Sequence, residues 1–215
     1  MRHTRWLRAA GAMLALLGTA AAQADPDMFA AERTGQLGWH IGVGQFTPAG
    51  NSQLGDQEGK FDLLLGMSYR TSANLAWDID LLLLHQNVDT PASITPPLWG
   101  TVDSRSALDV TGIAGGARYI WPLGRWEPYL GGGLGVYEVR LNASGQQFGI
   151  PEDLTVSSTE LGVHALAGID YAVSAHTTLG CEMRYVRVQT SLGSVLPGTL
   201  EAGGRTVSLV WRSTL

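Results

Sequence analysis

The chain has a single cysteine, Cys181, in 215 residues. That excludes a disulfide framework and any zinc site built from a cysteine cluster. Lysine is nearly absent, and Lys60 is the only one. Charged residues make up 15%, well below the roughly 25% of an ordinary soluble domain. Cationic residues are outnumbered, 14 to 19, for a formal charge of -5. A basic face for phosphate backbones is therefore missing, and no nucleic-acid partner is expected. Long apolar runs are missing too. Leu81 to Leu84 is the longest purely aliphatic block, far short of the roughly 20 residues of a membrane-spanning helix. What the chain does have is glycine, 28 residues, and 45% hydrophobic residues. Such a chain is not disordered. It fits a compact extracytoplasmic β protein or a β-barrel with lipid around it.

The first 24 residues read as a cleaved signal peptide rather than as fold. Arg2, Arg5 and Arg8 precede an uncharged, mostly apolar stretch over residues 9–22, and Ala22-Gln23-Ala24 supplies a small-residue cleavage site before Asp25. Residues 25–35 are then an N-terminal periplasmic segment, and residues 36–215 form one domain.

That domain alternates with period 2, the signature of strands. Within residues 37–46, Leu37, Trp39, Ile41 and Val43 share a face. Within 60–70 it is Phe61, Leu63, Leu65, Met67 and Tyr69, and within 74–86 it is Leu75, Trp77, Ile79, Leu81, Leu83 and His85. Within 158–171 it is Leu161, Val163, Ala165, Ala167, Ile169 and Tyr171; within 177–185 it is Leu179, Cys181, Met183 and Tyr185; and Val207, Leu209 and Trp211 close the series. Two further strands lie near 107–121 and 128–141. Their phase is ambiguous around Gly115-Gly116 and Gly131-Gly132-Gly133, where a β-bulge would resolve it.

The connections alternate strictly. Those near 71–73, 122–127 and 172–176 are short. Those near 47–59, 87–105, 142–157 and 190–204 are long and rich in Gly, Pro, Ser and Asn. Eight strands with this alternation describe an all-β, antiparallel, up-and-down transmembrane barrel, with short periplasmic turns and long extracellular loops. A soluble barrel also alternates, but two features favour lipid. The polar phase carries Gly, Asp, Glu, His and Arg instead of a lysine-rich coat. The aromatics Trp39, Tyr69, Trp77, Tyr119, Trp121, Trp126, Tyr171 and Trp211 fall near the short-turn ends of their strands, as an interfacial girdle would. The expected location is the outer membrane of a Gram-negative bacterium, with its lipid and lipopolysaccharide as neighbours.

The run Arg118-Tyr119-Ile120-Trp121-Pro122-Leu123-Gly124-Arg125-Trp126-Glu127-Pro128-Tyr129-Leu130-Gly131-Gly132-Gly133-Leu134-Gly135 resembles a hairpin of small outer-membrane barrels of the OmpW-like and OmpX/opacity-type families. Residues 162–171 and Glu182-Met183-Arg184-Tyr185 resemble their late strands. The resemblance implies a hydrophobic lumen, passage of small hydrophobic molecules and insertion by the outer-membrane assembly machinery. These families usually end in an aromatic residue; this chain ends in Leu215, with Trp211 in the same phase.

The inward phase holds Asp62, Asp78, Asp80, Glu160, Asp170 and Glu182, with His40, Arg70, Arg118, His164, Arg184 and Arg212. An eight-stranded lumen is just wide enough to be filled by side chains, and buried charges must pair. A salt-bridged network blocking the short-turn half is expected, with Arg184 and Glu160 as plausible neighbours. Leu64, Leu82 and Leu84 interrupt the polar phase nearer the long loops and suggest a small hydrophobic pocket. Catalysis finds little support. His85 has no paired serine, and His164 has Glu160 on its face but no nucleophile in phase. No metal spacing joins His40, His85, His164 and His176, and no cofactor is expected. The reading is a non-enzymatic outer-membrane barrel that handles small hydrophobic molecules. Its rival is a closed structural or surface-interaction barrel acting through its loops.

Overall fold

The computed structural model describes residues 28–49, 57–89, 105–147, 150–190 and 200–215. The expected signal peptide lies outside these residues. A short helix, α1 (Met28–Arg33), precedes the strands β1 (Leu37–Pro48), β2 (Gln57–Ser72), β3 (Leu75–Asp89), β4 (Arg105–Ile120), β5 (Trp126–Gln147), β6 (Ile150–Ala172), β7 (Thr177–Thr190), the two-residue β8 (Leu200–Glu201) and β9 (Gly204–Thr214). From β1 to β7 consecutive strands pair antiparallel. β6 pairs with β7, β7 with β9, and β9 with β1, so β1–β7 and β9 close an eight-stranded barrel. Closure leaves no open sheet edge for hydrocarbon to meet.

Every barrel strand presents large apolar residues outward in the half nearer the short turns. Ile79 is 65% exposed, Leu134 68% and Leu161 81%. An apolar face of this extent marks an interaction surface rather than a solvated one. The lumen is the inside of the protein: Leu82, Tyr137, Glu182 and Arg184 are all nearly fully buried.

The phase of the two middle strands is settled without a bulge. β4 runs in unbroken register against β3 and β5, and β5 against β6. Leu108, Val110, Ala114, Arg118 and Ile120 point inward, with Tyr129, Tyr137, Val139 and Leu141 from β5. Here the expectation of a bulge at the glycines is corrected. At four other glycines of these strands and β6, tyrosine bulk leaves no room for a side chain. The Tyr137 ring lies where side chains on Gly112, Gly135 and Gly162 would go, and Tyr129 where one on Gly168 would go. Among the described residues the register irregularities fall elsewhere, between Gly59 and Phe61 and between Arg70 and Ser72.

A second correction concerns residues 142–157, expected as a long loop. Instead β5 and β6 continue as a hairpin, paired from Asn142↔Thr155 to Gln147↔Ile150. The Gly, Ser and Asn content that suggests a loop there does not prevent pairing once the register below has been fixed. β2 to β6 thus rise on one side of the barrel, while β1 ends at Pro48 and β9 begins at Gly204.

At the short-turn end, α1 folds back onto the barrel. Gly35, at φ 78°, turns the chain from the helix into β1. Its N–H donates to the Arg70 carbonyl at 2.7 Å, and the Arg70 N–H donates to the Gln36 carbonyl at 3.3 Å. Among the described residues no helix is long and apolar enough to cross a membrane; the strands have that role.

Candidate functional site

The lumen divides into two layers. In the short-turn half, five arginines meet five carboxylates. Arg118 from β4 donates twice to Asp78 on β3, at 2.6 and 2.9 Å. Arg184 from β7 lies 2.7 Å from Asp80 and 2.9 Å from Glu182. Arg212 from β9 lies 2.9 Å from Asp170 and 2.7 Å from Glu182. At the floor, Arg33 and Arg70 each come within 3.0 Å of Glu127. The Arg70 side chain also donates to the carbonyls of Ser72 and Ala73, which ties the β2–β3 turn to the same cluster. Tyr129 is the hub. Its hydroxyl accepts from Arg212 at 2.8 Å and donates to Glu182 at 2.9 Å, while Arg118 and Arg212 stack on its ring at 5.1 and 5.3 Å.

Alternation forces this arrangement. Asp78 and Asp80, and Glu182 and Arg184, are i, i+2 pairs on one face of a strand, and the barrel aims every such face at one axis. Charges in so narrow a space repay their desolvation only by pairing with good geometry and further hydrogen bonds. His40 joins at the middle, with Nε2 2.8 Å from Asp80 Oδ1, and Ser208 donates to Asp62 at 2.5 Å.

Of the network residues expected from sequence, Asp78, Asp80, Arg70, Arg118, Asp170, Glu182, Arg184 and Arg212 come together. Asp62 stands beside them through Ser208. His164 is buried level with them, with no hydrogen-bonded partner at Nδ1 among the described residues. Glu160 corrects the expectation of an Arg184 neighbour. It lies near the far end of the lumen, accepting from Ser158 at 2.7 Å and Thr190 at 3.3 Å. Leu166, not Glu160, is the register partner of Arg184. Sequence reasoning missed Glu127, Tyr129 and Arg33. Trp126 facing out puts Glu127 inside by simple alternation, so that signal was available. Arg33 gave none, because it belongs to the segment before the first strand.

In the long-loop half, Leu64, Leu82 and Leu84 are 1–3% exposed. They pack in one cluster with Phe46, Leu108, Val110, Ala114, Tyr137, Val139, Leu141, Val186, Val188 and Ala202. The residues expected to line a pocket thus fill the lumen together with side chains from the strands around them. A cavity of about 50 Å³ lies instead at the short-turn floor, among Arg33, Gln36, Arg70, Arg118, Glu127 and Arg212. That is room for a water or two.

Outside, the expected girdle residues Trp39, Tyr69, Trp77, Tyr119, Trp121, Trp126 and Trp211 are exposed, and Tyr171 is half-buried. Three contacts join them: Trp39 with Trp211, Tyr119 with Trp121, and Trp126 with Tyr171, at 4.8–5.6 Å between ring centres. Above them the outward apolar run gives way to a polar residue at His85 on β3, Thr111 on β4, Glu138 on β5, Thr159 on β6, Arg187 on β7, Arg205 on β9 and Gln45 on β1. His85 has a partner the sequence reading did not supply. Its Nδ1 lies 2.5 Å from Asp109, which accepts from Asn142 at 3.1 Å. No serine or cysteine is bonded to it among the described residues.

Comparison with known proteins follows the fold. Among curated proteins none matches. Neisserial surface protein A is similar over 85% of this chain and 98% of its own, at 18% identity and a TM-score of 0.50. Outer membrane protein OprG from Pseudomonas aeruginosa is similar over 85% and 97%, at 14% identity and a TM-score of 0.54. At such identities the likeness is one of fold. The family described as the outer membrane protein beta-barrel domain matches residues 10–212. With an outward apolar surface, a closed sheet and a charge-filled lumen, the chain belongs to that family of outer-membrane β-barrel proteins.

Proposed function

We propose that this protein is a closed, non-enzymatic barrel that acts through its outer surface and loops rather than by conducting solutes. The observation that carries this reading is the packing of Leu64, Leu82 and Leu84. They are buried within a continuous apolar cluster that caps a paired charge network. A solute entering from the long-loop side would meet packed side chains, then five ion-paired arginines. Eight strands leave little more than side-chain width inside. The His85–Asp109 pair faces outward, and among the described residues no serine or cysteine is bonded to it.

Two measurements on the refolded full chain test it. In planar bilayers the barrel is expected to give no resolvable single-channel steps. An apolar fluorophore is expected to bind wild type and the Leu82→Asp/Leu84→Asp variant equally weakly. Saturable binding by wild type that the double variant loses would overturn this reading in favour of a barrel that takes up small hydrophobic molecules.

A further inference from the structure

Two arginines stand on the outer face of this barrel where the apolar belt ends. Arg187 and Arg205 are exposed on the adjacent strands β7 and β9. Arg205 is the register partner of Tyr185, and Arg187 lies two residues beyond Tyr185 on the same face. Among the described residues neither makes an ion pair. Arg140, by contrast, is held by Glu138 at 2.8 Å. Tyr185 lies within the field of both guanidiniums, and its hydroxyl donates to Glu201 at 3.1 Å. Among the described residues two guanidiniums stand here against one carboxylate, Glu201.

Their position gives the patch its meaning. Below them on the same two strands the outward side chains are Met183, Cys181, Val207 and Leu209, all exposed. Two arginines thus stand where the apolar belt ends, at the long-loop side. A ligand suited to this place has acyl chains to lie on the belt and an anionic group at the depth of the guanidiniums. Arginine prefers a phosphate there, because its planar fork matches two phosphate oxygens.

We propose that Arg187 and Arg205, flanking Tyr185, form a binding site for the phosphate of a membrane glycolipid in the leaflet on the long-loop side. The acyl chains run down β7 and β9, and the guanidiniums clamp the phosphate above them. This goes beyond the closed-barrel reading and does not depend on it.

The test uses the refolded full chain in detergent micelles, titrated with bisphosphorylated lipid A, with the same lipid after enzymatic dephosphorylation, and with inorganic phosphate. Each cation near an anionic membrane surface contributes about 1 kcal/mol, so the bisphosphorylated form should bind roughly tenfold or more tightly than the dephosphorylated one. Arg187→Gln/Arg205→Gln should erase that difference, and Arg187→Lys/Arg205→Lys should keep part of it. Arg140→Gln should change nothing. Both pairs of variants are outward and exposed, and heat-modifiable gel migration confirms that each has folded. Equal binding of the two lipid forms by wild type overturns the site. So does an equal loss in Arg140→Gln, which would reduce the effect to general surface charge. Saturation by inorganic phosphate at the lipid's own concentration would make it a free-anion site and overturn the lipid assignment.

Discussion

Asp78 and Arg118 illustrate how the lumen chemistry works one side chain at a time. They face each other bidentately across β3 and β4 with almost no exposure. Replacing Arg118 with Met leaves Asp78 charged and uncompensated, and replacing Asp78 with Leu strands the guanidinium. Each single change should cost about 3–5 kcal/mol, and the double change less than their sum. Urea titration of folded barrels in lipid vesicles measures this. Arg184 and Glu160 provide the control: lying on different levels of the lumen, they should add independently. Glycine offers a second test. A Cβ at Gly112 would run into the Tyr137 ring. Gly112→Ala should therefore destabilise by about 1–3 kcal/mol through overpacking, and the same titration reads it. The inward face of β3 was legible in the sequence, because period 2 assigns each of its residues to the lumen or the outside, whereas the phase of β4 and β5 was not. Nor were the partners. Register decides them, and the register across Gly115-Gly116 and Gly131 to Gly133 cannot be read from residues without side chains.

The strands carry the boundary between lipid and interior. On β3, Leu81 lies midway between Trp77 at the girdle and His85 at the polar rim, and it faces out. Leu81→Arg should cost about 2–4 kcal/mol, whereas Thr111→Arg at the rim should cost about 0–1 kcal/mol. Folding titrations into vesicles compare the two. A lumen position is no safe alternative for a cation. Thr206 is buried and is the register partner of Arg184, so an arginine there would meet like charge. The alternation of short and long connections was legible from turn residues. The hairpin above Leu141 was not. Its Gly, Ser and Asn favour loops locally, and only pairing inherited from the strands below holds it extended.

For the molecule as a whole, the short-turn mouth is covered by α1, the segment before the first strand. Arg33 is 4% exposed and shares Glu127 with Arg70. Trypsin should therefore cut slowly after Arg33 in the folded barrel. Glu127→Leu should leave both guanidiniums without that carboxylate and speed the cut. Mass spectrometry of timed digests reads the site directly. Nothing in the sequence marked this contact, since it joins a helix before the first strand to the start of the fifth.

The pairing of β1 with β9 has a consequence for how the barrel is made. All other neighbouring barrel strands follow one another in the chain, so their ladders grow by short hairpin steps. Joining Gly38 to Thr214 requires nearly the whole domain to be in place, and that loop closure is the costly one. β9 also brings Arg212 to Asp170 and Glu182, and Ser208 to Asp62. Until the last strand arrives, an open sheet therefore carries acids short of their β9 partners beside a bare edge, and hydrocarbon rejects both. Completion of the polar network and edge closure come in one event, so a half-built sheet has no resting place inside the bilayer. Entry into the membrane and completion of the ring become a single cooperative step.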